Sequence, residues 1–153
     1  GDASNNMANS YLIGGATAGM HVSVAGPAGY LPDSGIVTRA EIIAAKTGGS
    51  IEVHGEPHAA IQNADVVVTD TWVSMGQESD KEQRLRDFAG YTIDSALMAQ
   101  AKPDAIFMHC LPAYRGYEVS AEVLDGPQSV IWDEAENRLH AQKALMAWLA
   151  EQA

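Results

Sequence analysis

Asp70 and Cys110 are the side chains on which chemistry is most readily built, because each follows directly on a short apolar run. The first run, Ala64-Asp65-Val66-Val67-Val68-Thr69, leads into Asp70-Thr71-Trp72-Val73-Ser74-Met75-Gly76-Gln77-Glu78. The second, Ala105-Ile106-Phe107-Met108, leads into His109-Cys110-Leu111-Pro112. Runs of this length and composition form buried parallel strands. Ligands of open α/β sheets collect beyond the carboxyl ends of such strands. A carboxylate and a thiol at two of these ends, set among polar loop groups, can handle an amine or a phosphate.

Three chemistries can be weighed on the residues alone. A dinucleotide site needs G-x-G-x-x-G in the first strand-to-helix turn and an acidic residue about 20 positions later. The turn here reads Gly1-Asp2-Ala3-Ser4-Asn5-Asn6, and the strand at 21–25 ends without a carboxylate, so that reading fails. Gly14, Gly15 and Gly19 fall inside a helix, where close packing explains them better. A metal site is no better supported: His54 and His58 flank Pro57, and no third ligand follows at useful spacing. His21 is best left structural. As for a thiol nucleophile, His109 and Cys110 are adjacent on a strand, so their side chains point to opposite faces and cannot pair as base and nucleophile. A lone Cys at a strand end is as often inert packing as reactive. No cofactor and no metal follow from the sequence.

The elements that must position these residues alternate along the chain. Helices are expected over residues 5–18, 33–46, 57–63, 81–88, 95–101 and 134–151. Strands are expected over 21–25, 50–54, 66–69, 106–109 and 129–132. Polar caps open the helices and Gly19 and Gly48-Gly49 close the first two. Alternation of this kind means right-handed crossovers and a parallel sheet, a three-layer α/β domain of Rossmann-like type spanning residues 1–153. The opening Gly1-Asp2-Ala3-Ser4-Asn5-Asn6 has the character of a strand-to-helix loop, yet no strand precedes it. Because the first strand of a doubly wound sheet is normally central, the expectation is a domain lacking that strand and belonging to a longer chain.

Composition narrows the field further. With 153 residues the chain is one domain by size, and its formal charge of −11 argues against nucleic acid and against an anionic membrane surface. No apolar run is long enough to span a bilayer. A single Cys excludes an internal disulfide framework and fits a reducing compartment, so a cytoplasmic location is expected.

Four stretches together resemble the second, ornithine-binding domain of the ornithine carbamoyltransferase family. They are Gly1-Asp2-Ala3-Ser4-Asn5-Asn6-Met7-Ala8-Asn9-Ser10, Asp70 through Glu78, His109-Cys110-Leu111-Pro112, and Glu134-Ala135-Glu136-Asn137-Arg138-Leu139-His140-Ala141-Gln142-Lys143. They occur in order over essentially the whole chain, and Ser74-Met75-Gly76 after Asp70-Thr71-Trp72 points to the ornithine rather than the aspartate enzymes. The closest likeness is to actinobacterial-type members. The resemblance implies transfer of a carbamoyl group from carbamoyl phosphate to L-ornithine, giving L-citrulline and phosphate in arginine biosynthesis. It implies that Asn6, Asp70, Ser74 and Met75 bind ornithine. It further implies that His109, Cys110, Leu111 and Arg138 serve carbamoyl phosphate, with Cys110, Asp70 and Arg138 as the catalytic set. Asp70 and Cys110 would meet the δ-nitrogen, whose free pKa is about 10 and which must lose a proton before attack. A cis Leu111-Pro112 bond would aim the Leu111 carbonyl at the carbamoyl NH2, and Arg138 would stabilise charge on the carbonyl oxygen. Read without the resemblance, Arg138 is better taken as a solvated helix residue pairing locally with its acidic neighbours.

The family's Ser-x-Arg-Thr-Arg loop, which grips carbamoyl phosphate from the first domain, has no counterpart in these residues. Tyr114 stands where close relatives often carry His. The residues from Ala144 to Leu149 are apolar almost all round, and in the family the last helix packs on the first domain. The resemblance implies a homotrimer for the full-length enzyme. Two other readings stay open: a carbamoyltransferase for another amine, such as putrescine or an acylated ornithine, and a stand-alone amino-acid-binding module.

Overall fold

A computed structural model describes residues 1–74 and 76–152. The chain begins with α1 (Asn6–Thr17), which starts where Asn5 Oδ1 accepts the Ala8 N–H at 2.8 Å and ends before Gly19, whose φ of 74° suits a residue without a side chain. Strand β1 (His21–Ala25) follows, then α2 (Ser34–Thr47), capped by Asp33 Oδ1 on the Gly35 N–H at 2.8 Å. Strand β2 (Ser50–His54) pairs with β1 in parallel, with His21 opposite Ser50 and Ala25 opposite His54. Leu12 and Ala16 of α1 pack on Ala40 and Ala44 of α2. The small side chains let the helices approach, and a Cβ at Gly15 would collide with the Val22 side chain. The packing role expected for a helical glycine therefore holds at Gly15. A Cβ at Gly14 would meet nothing within 4 Å outside its own helix backbone, so packing does not require glycine there.

After the short α3 (Pro57–Ala60) comes β3 (Val66–Thr69), then a 3₁₀ turn (Glu78–Asp80), α4 (Lys81–Asp87) and α5 (Ser95–Met98). Strand β4 (Ile106–His109) pairs in parallel with β3, placing Thr69 opposite His109. Helices α6 (Ala121–Leu124) and α7 (Ile131–Glu151) complete the order. The largest apolar core lies beneath β3 and β4, where Phe107, Val119, Leu124 and Ile131 are buried with Ile93 and Leu97. A second aromatic cluster pins the loop after β3: the Trp72 and Phe88 rings stack at 5.5 Å, and Tyr30 meets Phe88 at 4.6 Å. The almost fully buried Arg84–Asp2 ion pair, at 2.8 Å, ties that loop to the chain start, since Arg84 also donates to the Trp72 carbonyl at 2.9 Å.

Among the described residues the strands form two parallel pairs, β1–β2 and β3–β4, as expected of a parallel sheet without its central strand. Between them lies a cavity of about 550 Å³, lined by Val22 and Val24 of β1 and by Val66 and Val68 of β3. One expectation needs correction: residues 129–132 do not form a strand. Only Ser129 bridges to Phe107, flanked by a Phe107 N–H bond to the Gln128 carbonyl at 2.7 Å and a Val130 N–H bond to the Phe107 carbonyl at 2.9 Å. Helix formation then takes over at Ile131, three residues before the expected start, and buries that side chain. Apart from Ile131 and Glu134, α7 is exposed: Trp132 and Met146 are each 71% exposed, and Leu139, Leu145, Trp148 and Leu149 are exposed as well. No helix among the described residues is long and apolar enough to cross a membrane.

Candidate active site

Parallel pairing of β3 and β4 brings their carboxyl ends to one edge, with Asp70 beside Cys110. The Cys110 thiol donates to Asp70 Oδ1 at 3.1 Å. The same oxygen accepts the Thr71 N–H at 2.7 Å, while Asp70 Oδ2 accepts from Asn5 Nδ2 at 3.1 Å. Among the described residues the carboxylate is thus held by three neutral donors and by no cation. A fixed anion of this kind, half-buried at the rim of the central cavity, selects for an ammonium group.

Glu134, in the first turn of α7, adds a second anion. Its Oε2 accepts the His109 N–H at 2.8 Å and its Oε1 accepts from the Tyr11 hydroxyl at 3.4 Å. Cys110 and Tyr11 are both shifted upward, chiefly by burial. Burial first, then the Asp70 hydrogen bond and the charges of Asp70 and Glu134, push the Cys110 thiol up to about 12. Burial, followed by the charge of Glu134, pushes the Tyr11 phenol up as well. In this arrangement Cys110 is a thiol at neutral pH, able to donate a hydrogen bond but not to accept a proton.

The next residues turn sharply. Leu111 has φ 55°, in the left-handed region that an L side chain rarely adopts, and the Leu111–Pro112 peptide is cis. The His109 ring is fully buried: its Nδ1 accepts the Leu111 N–H at 2.9 Å, and Nε2 lies 3.2 Å from Glu118 Oε1. Donor atoms of Asp70, His109 and Cys110 come within 4.8 Å of one another, but each already makes a hydrogen bond. The other histidines are tied up locally, His21 with Ser50 at 2.8 Å, His54 with Glu52 at 3.1 Å and His58 with Gln100 at 3.1 Å.

Comparison with known proteins decides the family. The model of the aspartate/ornithine carbamoyltransferase, Asp/Orn binding domain, matches residues 1–149. An ornithine carbamoyltransferase of Bifidobacterium longum subsp. infantis is 64% identical over 153 residues, covering all of this chain and 48% of the relative. That of Clavibacter sepedonicus is 62% identical over 152 residues, covering 99% of this chain and 50% of the relative. The crystal structure of an anabolic ornithine carbamoyltransferase from Campylobacter jejuni superimposes with a TM-score of 0.91 at 45% identity, over 98% of this chain and 50% of that one.

The chain belongs to the aspartate/ornithine carbamoyltransferase family, as its Asp/Orn binding domain. It spans about half the length of the relatives it matches.

Within this carbamoyltransferase domain the remaining expected residues sit as follows. Asn6 opens α1 and is exposed, one residue beyond the Asn5 that touches Asp70. Ser74 is half-buried, its backbone N–H bonded to Gln77 Oε1 at 3.1 Å. Met75 lies outside the described residues. Arg138 is exposed one helical turn beyond Glu134, on the same face of α7. Its acidic neighbours are engaged elsewhere, Glu134 with the His109 backbone and Glu136 with His140 at 2.9 Å, so among the described residues no local ion pair holds it. Three residues escaped the sequence reading. Asn5 was legible only as a helix cap, although a capping Asn keeps its Nδ2 free to hold a distant carboxylate. Glu134 belongs to the last of the four family-like stretches, but no local pattern shows that it reaches Tyr11 and the His109 backbone. Glu118 gave no signal at all.

Proposed function

We propose that this chain is the ornithine-binding half of an ornithine carbamoyltransferase, which moves the carbamoyl group of carbamoyl phosphate onto the δ-nitrogen of L-ornithine. The observation that carries this reading is the Asp70–Cys110 pair, an uncompensated carboxylate 3.1 Å from a protonated thiol at the ends of two parallel strands. Asp70 binds and orients the δ-ammonium, and Cys110 lies against the same nitrogen. Asn6 at the start of α1, Ser74 and Met75 hold the α-amino and α-carboxylate end.

The amine must shed a proton before its lone pair can attack the carbamoyl carbon. With the thiol held protonated, Cys110 is a poor acceptor, and an oxygen of the departing phosphate takes the proton. The N–C bond forms, the C–O bond to phosphate breaks, and citrulline and inorganic phosphate leave. Leu111 offers its carbonyl to the carbamoyl NH2, His109 serves that turn, and Arg138 supplies positive charge to the carbonyl oxygen and the phosphate. The rest of the phosphate site belongs to a preceding domain, so the 153-residue chain alone is inactive. The full enzyme acts as a cytoplasmic homotrimer in arginine biosynthesis, with no nucleic-acid or membrane partner.

The test is carbamoyl transfer by the full-length parent protein, with ornithine, acetylornithine and putrescine offered in competition and each carbamoylated product quantified. A preference for ornithine supports the reading, and a preference for either other amine overturns it.

A further inference from the structure

The buried pair His109 and Glu118 lies behind the site, and direct contact with substrate does not account for it. Both side chains are wholly inaccessible to solvent, although the sequence puts His109 at a strand end and Glu118 in a loop. His109 Nδ1 accepts the Leu111 N–H at 2.9 Å, so that nitrogen carries no proton and Nε2 carries the ring hydrogen. Nε2 donates to Glu118 Oε1 at 3.2 Å, and the same oxygen accepts the Tyr114 N–H at 2.6 Å. One carboxylate oxygen therefore gathers both ends of the Leu111-Pro112-Ala113-Tyr114 turn, one directly and one through the imidazole. Glu118 is itself fixed, since its carbonyl accepts the Ile93 N–H at 2.9 Å and Val119 beside it is fully buried. Its Oε2 is buried without a partner among the described residues.

We propose that His109 and Glu118 are positioning residues that hold Leu111 in its left-handed conformation, and so fix the Leu111 carbonyl at the place where the carbamoyl group must sit. The inference rests on the carbamoyltransferase reading for its substrate and on the hydrogen bonds alone for its geometry. Removing Glu118 frees both ends of the turn without touching Asp70, Asn5 or Ser74, so the ornithine side of the site is spared.

The test uses the full-length parent protein. If the unaltered protein makes no citrulline, the functional reading fails. The pair is then judged by nitrogen-15 NMR of labelled histidine in the same protein, which is expected to show a protonated Nε2 and an acceptor Nδ1 at His109. The opposite tautomer overturns the proposal. Where the protein is active, Glu118→Ala is expected to lower kcat by about 10-fold or more while the KM for ornithine stays within about 2-fold. Glu118→Gln, which keeps an oxygen for both donors, is expected to retain kcat within about 3-fold. An unchanged kcat in Glu118→Ala overturns the proposal, as does a loss in Glu118→Gln as deep as in Glu118→Ala. If Glu118→Ala does not fold, the tautomer and the Glu118→Gln kinetics decide.

Discussion

Cys110 is the only cysteine in the chain, which makes its ionisation directly measurable. Burial and the neighbouring carboxylates raise it from an ordinary 9.0 to about 12. A rise of this size leaves roughly 3 in 100,000 of the thiol ionised at pH 7.5, against about 3 in 100 for an unperturbed cysteine. Because the thiolate is the nucleophile, alkylation by iodoacetamide at pH 7.5 should run about 1,000-fold slower in the folded protein than in urea. The assay is a mass-spectrometric time course at several pH values, and the folded rate should still be climbing at pH 11. Asp70→Asn removes one of the raising charges but leaves burial, the largest cause, in place. It is expected to recover only about one of those three decades. The sign of the linked stability change follows. A thiol whose folded value is raised stabilises the native state fully below pH 9, and that contribution is lost as pH rises from 9 towards 12. Folded and unfolded rates within 10-fold of each other at pH 7.5 would refute the reasoning and reopen Cys110 as a base.

Other outcomes follow from the same geometry. In the full-length enzyme, Cys110→Ser should raise the KM for ornithine and leave turnover within a few-fold, with the basic limb of the pH–rate profile unmoved. A shifted limb would show that the thiol titrates in catalysis. Asn5→Ala removes both the cap on Ala8 and the bond to Asp70, and should cost about 1–2 kcal/mol in urea unfolding. A cost near zero would show that the cap is dispensable. For the exposed face of α7, Trp148→Glu in the isolated chain should reduce self-association in sedimentation velocity. Unchanged association would place the sticky surface elsewhere.

How much of this was legible in the sequence varies with the range of the interaction. Strands β1 to β4 fall where alternation and apolar runs put them, because each is short, and β1, β2 and β3 are closed off by Gly or Asp. The run Ser129-Val130-Ile131-Trp132 misled because three β-prone residues in a row do not distinguish a strand from the start of a helix. Two apolar runs ending in polar loops pointed to Asp70 and Cys110, and parallel pairing of those strands is the reason they meet. What stayed hidden were bonds across sequence distance. Asn5 reaches Asp70 over 65 positions, and Glu134 reaches Tyr11 over 123. No local pattern encodes such contacts. Glu118 was invisible because a carboxylate in a polar loop reads as solvated until its burial is seen.

The measurement that bears most directly on the central claim is the steady-state kinetics of Asp70→Asn in the full-length enzyme, with ornithine and carbamoyl phosphate varied separately. Losing a charge-assisted contact worth about 1.5–3 kcal/mol should raise the KM for ornithine by about 10- to 100-fold. The KM for carbamoyl phosphate should stay within about 2-fold. Equal weakening towards both substrates, or none towards ornithine, would mean that Asp70 is a structural anchor for the thiol and the loop, and that the amine binds elsewhere.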